Sequence, residues 1–131
     1  MTPTILVVED DPVILDLLAL TLEMEGWQVL RATDAVTAVE MARSEQPDLV
    51  LSDVMMPGRS GLDLCDDIAA ATETAGTPVV LLSARALPAE MAAGFAAGAA
   101  DYVTKPFDPD DLIGRIRAVL EGRAPDGAGS P

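Results

Sequence analysis

Five side chains that could do chemistry follow short apolar runs of this sequence. Glu9 and Asp10 follow the run at 5–8, Asp53 follows the run at 49–51, Ser83 follows the run at 79–82, and Lys105 follows the run at 102–103. Ligands of an open parallel sheet bind beyond the carboxyl ends of its strands, so runs that form such strands would gather these side chains at one edge. The sequence thus predicts a cluster of three carboxylates, one hydroxyl and one amine.

The charge of such a cluster limits the chemistry that it can do. Neighbouring carboxylates repel one another, and each raises the pKa of the others. A hard divalent cation relieves this repulsion, and Mg²⁺ prefers oxygen ligands while it keeps part of its water shell. A carboxylate beside the ion can attack phosphorus and form an acyl phosphate, while an ammonium and a hydroxyl group stabilise the charge of the transferring group. The set therefore favours phosphoryl transfer to a carboxylate.

Simpler roles remain open for four of these five residues. Lys105 is the single lysine beside seven arginines, and it could be an ordinary surface residue. Glu9 could be a solvated strand end, Asp10 could act only on the dipole of the following helix, and Ser83 could be a turn residue. A lone acid directly after a buried apolar run is hard to explain structurally, which makes Asp53 the strongest candidate.

Composition excludes several classes of protein and site. The chain contains no histidine, which removes a Ser-His-Asp triad, a Cys-His pair and a histidine metal site. Its single cysteine, Cys65, lies in an apolar helical pattern and is interpreted as a small buried hydrophobe. A net charge of −14 argues against direct binding to nucleic acid or to an anionic membrane. The chain has neither a signal-peptide pattern nor the roughly 20 apolar residues that span a bilayer, so we expect a cytoplasmic location.

Short apolar runs alternate with helical patterns five times along the chain. The predicted strands lie at 5–8, 27–30, 49–51, 79–82 and 102–103. The predicted N-caps of the first three helices are Asp11, Asp34 and Ser60. The predicted inner face of the first helix consists of Ile14, Leu17, Leu18 and Leu22. Five β-α units in this order predict a parallel sheet with helices on both faces.

The two ends of this pattern define the expected domain. Residues 1–122 are predicted to form one domain, and residues 123–131, rich in Gly, Pro and Ala, are predicted to be a flexible tail or a linker stump. The fourth helix, predicted over about 88–97, lacks a good cap and contains Gly94, which costs roughly 1 kcal/mol relative to alanine in a helix. We therefore expect this helix to have low local stability.

Four segments in chain order carry a resemblance to a known family. They are residues 8–10 (Val-Glu-Asp), 52–58 (Ser-Asp-Val-Met-Met-Pro-Gly), 83–85 (Ser-Ala-Arg) and 102–107 (Tyr-Val-Thr-Lys-Pro-Phe). Together they resemble the receiver domain of bacterial two-component response regulators, over about residues 4–120. The resemblance implies an α/β fold of the (βα)5 flavodoxin-like or CheY-like class, with five parallel strands in the order 2-1-3-4-5 and helices on both faces.

The resemblance also implies a phosphoacceptor and a metal site. Asp53 falls at the position that accepts the phosphoryl group. Glu9 and Asp10 fall at the acidic pair that binds Mg²⁺ together with Asp53, and Met55 falls where the family uses a backbone carbonyl as a further ligand. Mg²⁺ is thus the implied cofactor, and Mn²⁺ is an expected substitute.

Three further residues match positions that sense the phosphoryl group in this family. Ser83 matches the hydroxyl that bonds it, and Lys105 matches the lysine that contacts it. The peptide bond from Lys105 to Pro106 resembles one that the family holds cis. Tyr102 matches the aromatic that moves inward on activation, although it could also be a plain core residue. The expected readout is the surface formed by the fourth helix, the fifth strand and the fifth helix.

The implied partners follow from this scheme. The phosphoryl donor would be the phosphohistidine of a histidine kinase or a phosphotransfer protein, and the switched surface would control a downstream effector or output domain. No enzymatic activity is expected beyond the domain's own phosphorylation and dephosphorylation. Asp101 and Arg115 fit one ion pair of a phosphorylation-dependent homodimer. The other expected partners are replaced by Met91, Ala96 and Ala100, which argues against a strong dimer of that kind.

Four alternatives compete with the receiver interpretation. A Mg²⁺-dependent phosphohydrolase with an aspartyl phosphate, and a topoisomerase-primase-type metal domain, both place a second acid two residues after the first, where this chain has Met55. A phosphorylation-independent interaction module with the same fold would not need the intact acidic set. A dinucleotide-binding domain needs a glycine-rich loop after the first strand, which the sequence lacks.

Overall fold

A computed structural model of the chain describes residues 2–85 and 87–122. The elements in chain order are β1 (Thr4–Val8), α1 (Pro12–Glu23), β2 (Gln28–Ala32), α2 (Ala35–Glu45), β3 (Leu49–Asp53), α3 (Gly61–Ala70), β4 (Val79–Ser83), α4 (Pro88–Ala96), β5 (Asp101–Thr104) and α5 (Pro109–Gly122). The predicted tail at 123–131 lies outside the described residues. Within those residues, no helix is both long and apolar enough to cross a lipid bilayer.

The strands form one parallel sheet in the order β2-β1-β3-β4-β5, as predicted. Each pair is parallel, for example Val8 opposite Ser52 and Asp53 opposite Leu82. The strand order reverses between β1 and β3, because β2 lies outward from β1 on one side and β4 outward from β3 on the other. In an open α/β sheet, a crevice at such a reversal is where ligands bind.

Each face of the sheet is covered by helices with a separate apolar cluster. On one face, α1 and α5 pack on β1, β3 and β4 through buried residues that include Leu18 and Ile116. On the other face, α2 and α3 pack on the same strands through Ala38 and Ile68, and Tyr102 of β5 joins this cluster. Alternate residues of a strand point to opposite faces, so runs such as Ile5–Val8 are apolar throughout.

The predicted helix caps are confirmed. Asp11 accepts hydrogen bonds from the backbone N–H groups of Val13 and Ile14, at 2.9 and 3.4 Å. Asp34 accepts from the N–H of Thr37 at 2.7 Å. Ser60 forms a capping box with Asp63, in which each side chain accepts from the other residue's backbone N–H.

The predicted inner face of α1 is partly wrong. Leu17 is 52% exposed, and the buried positions of this helix are Leu15, Leu18, Ala19 and Leu22. These four residues follow the spacing i, i+3, i+4, i+7, so they form one stripe, whereas Leu17 lies on its flank. A run of leucines leaves the rotation of a helix undetermined until the sheet fixes it. The second strand also extends further than predicted, to Ala32.

Candidate functional site

The ends of β1, β3 and β5 bring three charged side chains together at one edge. Asp53 is the last residue of β3, Glu9 follows β1 directly, and Lys105 follows β5. The Lys105 Nζ lies 3.1 Å from Asp53 Oδ1 and 3.2 Å from Glu9 Oε1. Glu9 and Lys105 lie 44 and 52 positions from Asp53 in the sequence. They meet it because the parallel strands end at the same edge of the sheet.

Asp10 completes an acidic cluster with Glu9 and Asp53. One carboxylate oxygen from each of these residues lies within 4.8 Å of the others, an arrangement that could hold a metal ion. The side chains of Glu9 and Asp53 are 2% and 7% exposed, whereas Asp10 is open to solvent. Three ionised carboxylates beside the one ammonium of Lys105 leave a net charge of −2. A divalent cation would balance that charge, and oxygen ligands of this kind suit Mg²⁺.

The pKa values of these groups follow from their burial and charges. Burial raises the pKa of Asp53, and hydrogen bonding and attraction from Lys105 only partly offset it. Burial likewise raises the pKa of Glu9, and the nearby negative charge of Asp53 raises it further. Burial acts to lower the pKa of the Lys105 amine, but the two carboxylates together raise it. The edge therefore carries negative charge that is poorly solvated, a condition that favours binding of a cation.

Gly61, at the start of α3, packs against the backbone at Asp53. It was not among the site residues predicted from the sequence. Its N–H donates to the Val54 carbonyl at 3.0 Å. A methyl group built on Gly61 would lie 2.5 Å from the Asp53 carbonyl oxygen and 2.9 Å from the Val54 Cα. Only glycine lets the helix approach the backbone of β3 this closely. The one available signal was a glycine directly after a capping serine, where alanine would be a better helix former.

Ser83 and Tyr102 are joined through the backbone of Arg85. Ser83 is the last residue of β4, fully buried, and next to Leu82, which pairs with Asp53. Its Oγ accepts a hydrogen bond from the Arg85 N–H at 3.1 Å. The Tyr102 hydroxyl donates to the Arg85 carbonyl at 2.8 Å, and the residue is 4% exposed. The ring thus lies in the inward position.

The remaining candidate residues lie around this edge. Met55 is in the loop between β3 and α3, with its side chain 54% exposed. The peptide bond from Lys105 to Pro106 is cis. Arg115 forms ion pairs within the chain, at 3.1 Å to Asp101 and 3.0 Å to Asp111.

Comparison with known proteins identifies the family of this chain. A model of the response regulator receiver domain matches residues 5–117. The chain belongs to this family. The solved structures with the same fold as this receiver domain include a putative response regulator from Chloroflexus aurantiacus, with a TM-score of 0.87 and 34% identity over 92% of this chain and 98% of that one. The chemotaxis protein CheY4 of Vibrio cholerae matches with a TM-score of 0.87 and 28% identity, over 91% of this chain and 99% of that one.

Curated relatives of the receiver domain are transcriptional regulators. It is 42% identical over 117 residues to the probable transcriptional regulatory protein TcrX of Mycobacterium tuberculosis, covering 89% of this chain and 49% of the relative. It is 46% identical over 116 residues to the transcriptional regulatory protein CseB of Streptomyces coelicolor, covering 88% and 48%. The phosphate regulon regulatory protein PhoB of Escherichia coli is 39% identical over 125 residues, covering 95% and 55%. The chain thus spans about half the length of these relatives.

Proposed function

We propose that this receiver domain accepts a phosphoryl group on Asp53 from the phosphohistidine of a histidine kinase or a phosphotransfer protein. The observation that carries the proposal is the buried Asp53 carboxylate, held at a strand end between the Lys105 ammonium and the acidic residues Glu9 and Asp10. A single cation within hydrogen-bond distance can bind a phosphoryl oxygen as well as a carboxylate. The same edge thus has a nucleophile, a donor and a place for a metal ion.

The proposed reaction is a direct transfer between two groups. A carboxylate oxygen of Asp53 forms a bond to phosphorus while the bond between phosphorus and the donor's imidazole nitrogen breaks. The imidazole nitrogen takes up a proton from solvent, and the product is an acyl phosphate. The Lys105 ammonium can stabilise the negative charge that develops on the phosphoryl oxygens. The Ser83 hydroxyl can donate a further hydrogen bond to them. Such positioning and charge stabilisation are the main contributions of a protein to phosphoryl transfer.

Glu9, Asp10 and Asp53 would hold Mg²⁺, or Mn²⁺ in its place, with the backbone carbonyl of Met55 as a further ligand. The fit rests on the −2 charge that remains beside Lys105 and on the oxygen donors within 4.8 Å of one another. When bound, the ion supplies positive charge for the phosphoryl oxygens during transfer. The burial of Glu9 and Asp53 keeps these ligands from being fully solvated in its absence.

We infer that phosphorylation is read out through Ser83, Tyr102 and the surface formed by α4, β5 and α5. The added oxygens at Asp53 would accept a hydrogen bond from the Ser83 O–H. A shift of the Ser83 side chain toward them would weaken the bond that Ser83 Oγ accepts from the Arg85 N–H and so change the loop that holds the Tyr102 hydroxyl. That surface would contact a downstream effector or output domain. A phosphorylation-dependent homodimer through it would have to redirect Arg115, which is already paired with Asp101 and Asp111.

A protein donor would approach over an apolar groove beside the acidic edge. The groove is lined by Ile14, Leu17, Ala84, Lys105, Pro106, Phe107 and Pro109. Contact there would bring the donor's imidazole next to Lys105 while it excludes water from the acyl phosphate. We further propose that the domain acts in the cytoplasm and binds neither nucleic acid nor membrane itself, since its net charge of −14 repels phosphates.

The alternative of a phosphohydrolase receives no support from the site. Its general acid would stand two residues after Asp53, where the chain has Met55, whose thioether cannot donate a proton. We therefore propose no catalytic turnover beyond self-phosphorylation and the loss of the phosphoryl group.

The proposal is tested by incubating the protein with Mg²⁺ and phosphoramidate, a small donor with a phosphorus–nitrogen bond, and recording the intact mass. We expect one added phosphoryl group, which is absent from Asp53→Asn and from a sample with chelator. Asp66→Asn removes an exposed acid of α3 outside the cluster and is the matched control, which should be phosphorylated like the parent protein. A folded protein that binds Mg²⁺ without forming an adduct would instead be a phosphorylation-independent interaction module. Continuous consumption of the donor would indicate a hydrolase.

A further inference from the structure

The ring of Tyr102 packs against a glycine in the middle of α4. A methyl group built on Gly94 would lie 2.9 Å from Tyr102 Cδ2 and 3.2 Å from Tyr102 Cε2, and 3.1 Å from the Leu81 Cδ1. The contact with Tyr102 Cδ2 is closer than real Cβ atoms make, so it requires a displacement, and the other two contacts are tight. Gly94 is buried, and the ring occupies the space that a side chain at position 94 would need.

Helix propensity does not explain a glycine at this position. Glycine inside a helix is less stable than alanine, so a buried glycine is retained where its neighbours leave no room for a methyl group. Gly114, in the middle of α5, shows the contrast. It is exposed, and a methyl group there would meet no atom within 4 Å.

The inward ring is one end of a continuous set of contacts that reaches the acidic edge. Its hydroxyl donates to the Arg85 carbonyl at 2.8 Å, and the Arg85 N–H donates to Ser83 Oγ at 3.1 Å. The Arg85 side chain also pairs with Glu90 in the first turn of α4 at 3.0 Å. The position of the ring, the loop after β4 and the start of α4 are therefore linked.

We propose that Gly94 is the positioning residue that admits the Tyr102 ring beneath α4 and thereby maintains the Tyr102–Arg85–Ser83 contacts. The atoms nearest to an added methyl group belong to the Tyr102 ring and the Leu81 side chain, not to the backbone. The ring can leave by rotating about χ1, whereas Leu81 is fully enclosed in the core and has little room to move. A methyl group at position 94 therefore drives Tyr102 outward and releases the Arg85 carbonyl.

This inference concerns the domain before phosphorylation, and it does not depend on the proposed transfer to Asp53. Both the ring and the glycine lie away from the acidic cluster, on α4 and β5. Failure of the phosphorylation experiment would leave the position of Tyr102 unaffected, and the reverse also holds.

Tyr102 is the single tyrosine of the chain, so nitrotyrosine can form at one position only. The parent protein, Gly94→Ala and Gly114→Ala are treated with tetranitromethane under conditions in which circular dichroism shows each to be folded. The rate of nitrotyrosine formation at Tyr102 is recorded by peptide mass mapping, which separates it from modification of Cys65 or Trp27 by the same reagent. We expect nitration of Gly94→Ala to be about tenfold faster, as for a shift of roughly 1.4 kcal/mol toward the outward ring.

Gly114→Ala should match the parent protein. Ser60→Ala, which weakens α3, controls for general destabilisation. Parent-like nitration of folded Gly94→Ala would overturn the proposal.

A double-mutant comparison covers the case in which Gly94→Ala does not fold. In a Tyr102→Ala background the ring is gone, and the Leu81 side chain, 3.1 Å from the added methyl group, can shift into the space that the ring leaves. The helix-forming advantage of alanine at position 94 should then dominate. Gly94→Ala should therefore lower the urea midpoint when Tyr102 is present and raise it when Tyr102 is absent. A decrease of equal size in both backgrounds would show that the methyl group clashes with something other than the ring, and would also overturn the proposal.

Discussion

The starts of α3 and α4 are built differently, although both helices follow neighbouring strands. The N-terminus of α3 has a reciprocal capping box between Ser60 and Asp63, and Gly61 packs against the backbone of Asp53. The capping residue of α4 is Leu87, whose side chain has no atom that accepts a hydrogen bond. Of the helix residues Pro88–Ala96, all described by the structure, only Gly94 is buried.

This difference separates a rigid part of the site from a part that can move. A helix with few buried residues and no side-chain cap opens at a low free-energy cost. The proposed phosphoryl transfer would need a fixed position of the Asp53 carboxylate relative to Lys105, since a displacement of about 1 Å weakens such positioning strongly. The proposed readout surface would need two accessible arrangements. The capped and the uncapped helix satisfy these two needs on the same face of the sheet.

The largest effect is expected for Gly61→Ala, which removes the close approach of α3 to β3. The added methyl group meets the Asp53 carbonyl oxygen, a backbone atom that cannot rotate away. We expect a loss of about 3 kcal/mol in the free energy of unfolding, measured with urea, because overpacking against a fixed backbone is not relieved. Gly76→Ala is the matched control, since a methyl group there meets open space. Equal stability of the two variants would show that the contact is not tight.

A smaller loss is expected for Ser60→Ala, which removes the capping side chain of α3. The Asp63 N–H, now bonded to Ser60 Oγ at 3.2 Å, loses this acceptor. The free energy of unfolding should fall by about 1 kcal/mol. Hydrogen exchange should become faster in the first turn of α3 and remain unchanged in α4. A parallel loss of protection in α4 would contradict the separation of the two helices.

The opposite change is expected for Leu87→Asp, which supplies α4 with the cap that it lacks. Leu87 has extended backbone angles suited to a capping residue and is 65% exposed, so little packing is lost. We expect a gain of about 0.5 kcal/mol and slower hydrogen exchange in α4. Leu87→Asn provides the same acceptor without the charge and should protect α4 similarly. Unchanged exchange in both variants would mean that α4 is limited by its packing and not by its cap.

The smallest effect concerns the pH dependence of the capping box. The hydrogen bond from the Ser60 N–H holds the pKa of Asp63 below its usual value. A carboxyl group whose pKa is lower in the folded state stabilises the protein above its unfolded pKa, and this contribution disappears as the pH falls through the folded value. Asp63→Asn should therefore be less stable than the parent protein at pH 7, and the difference should shrink below about pH 4. A difference that stays constant between pH 7 and pH 3 would exclude this linkage.

Much of the fold and the acidic cluster could be predicted from the sequence because the signals are local or topological. Asp11, Asp34 and Ser60 cap helices through contacts within three residues, and these were predicted correctly. The apolar runs gave the strands, and the common edge of a parallel sheet then placed Glu9 and Lys105 beside Asp53 without any knowledge of distances. The resemblance to receiver domains supplied the strand order.

The tertiary structure alone decided which residues touch across elements. It turned Leu17 outward, and it placed Gly61 against Asp53 and Gly94 against Tyr102. In the sequence, Gly94 was only a residue that weakens a helix, because the absence of a side chain has no pattern. Its meaning depends on the atoms that fill the space, and these come from strands fixed by the packing of the whole core. Patterns along the chain thus determined the sheet and its acidic edge, whereas close contacts between elements were set only when the sheet and helices met.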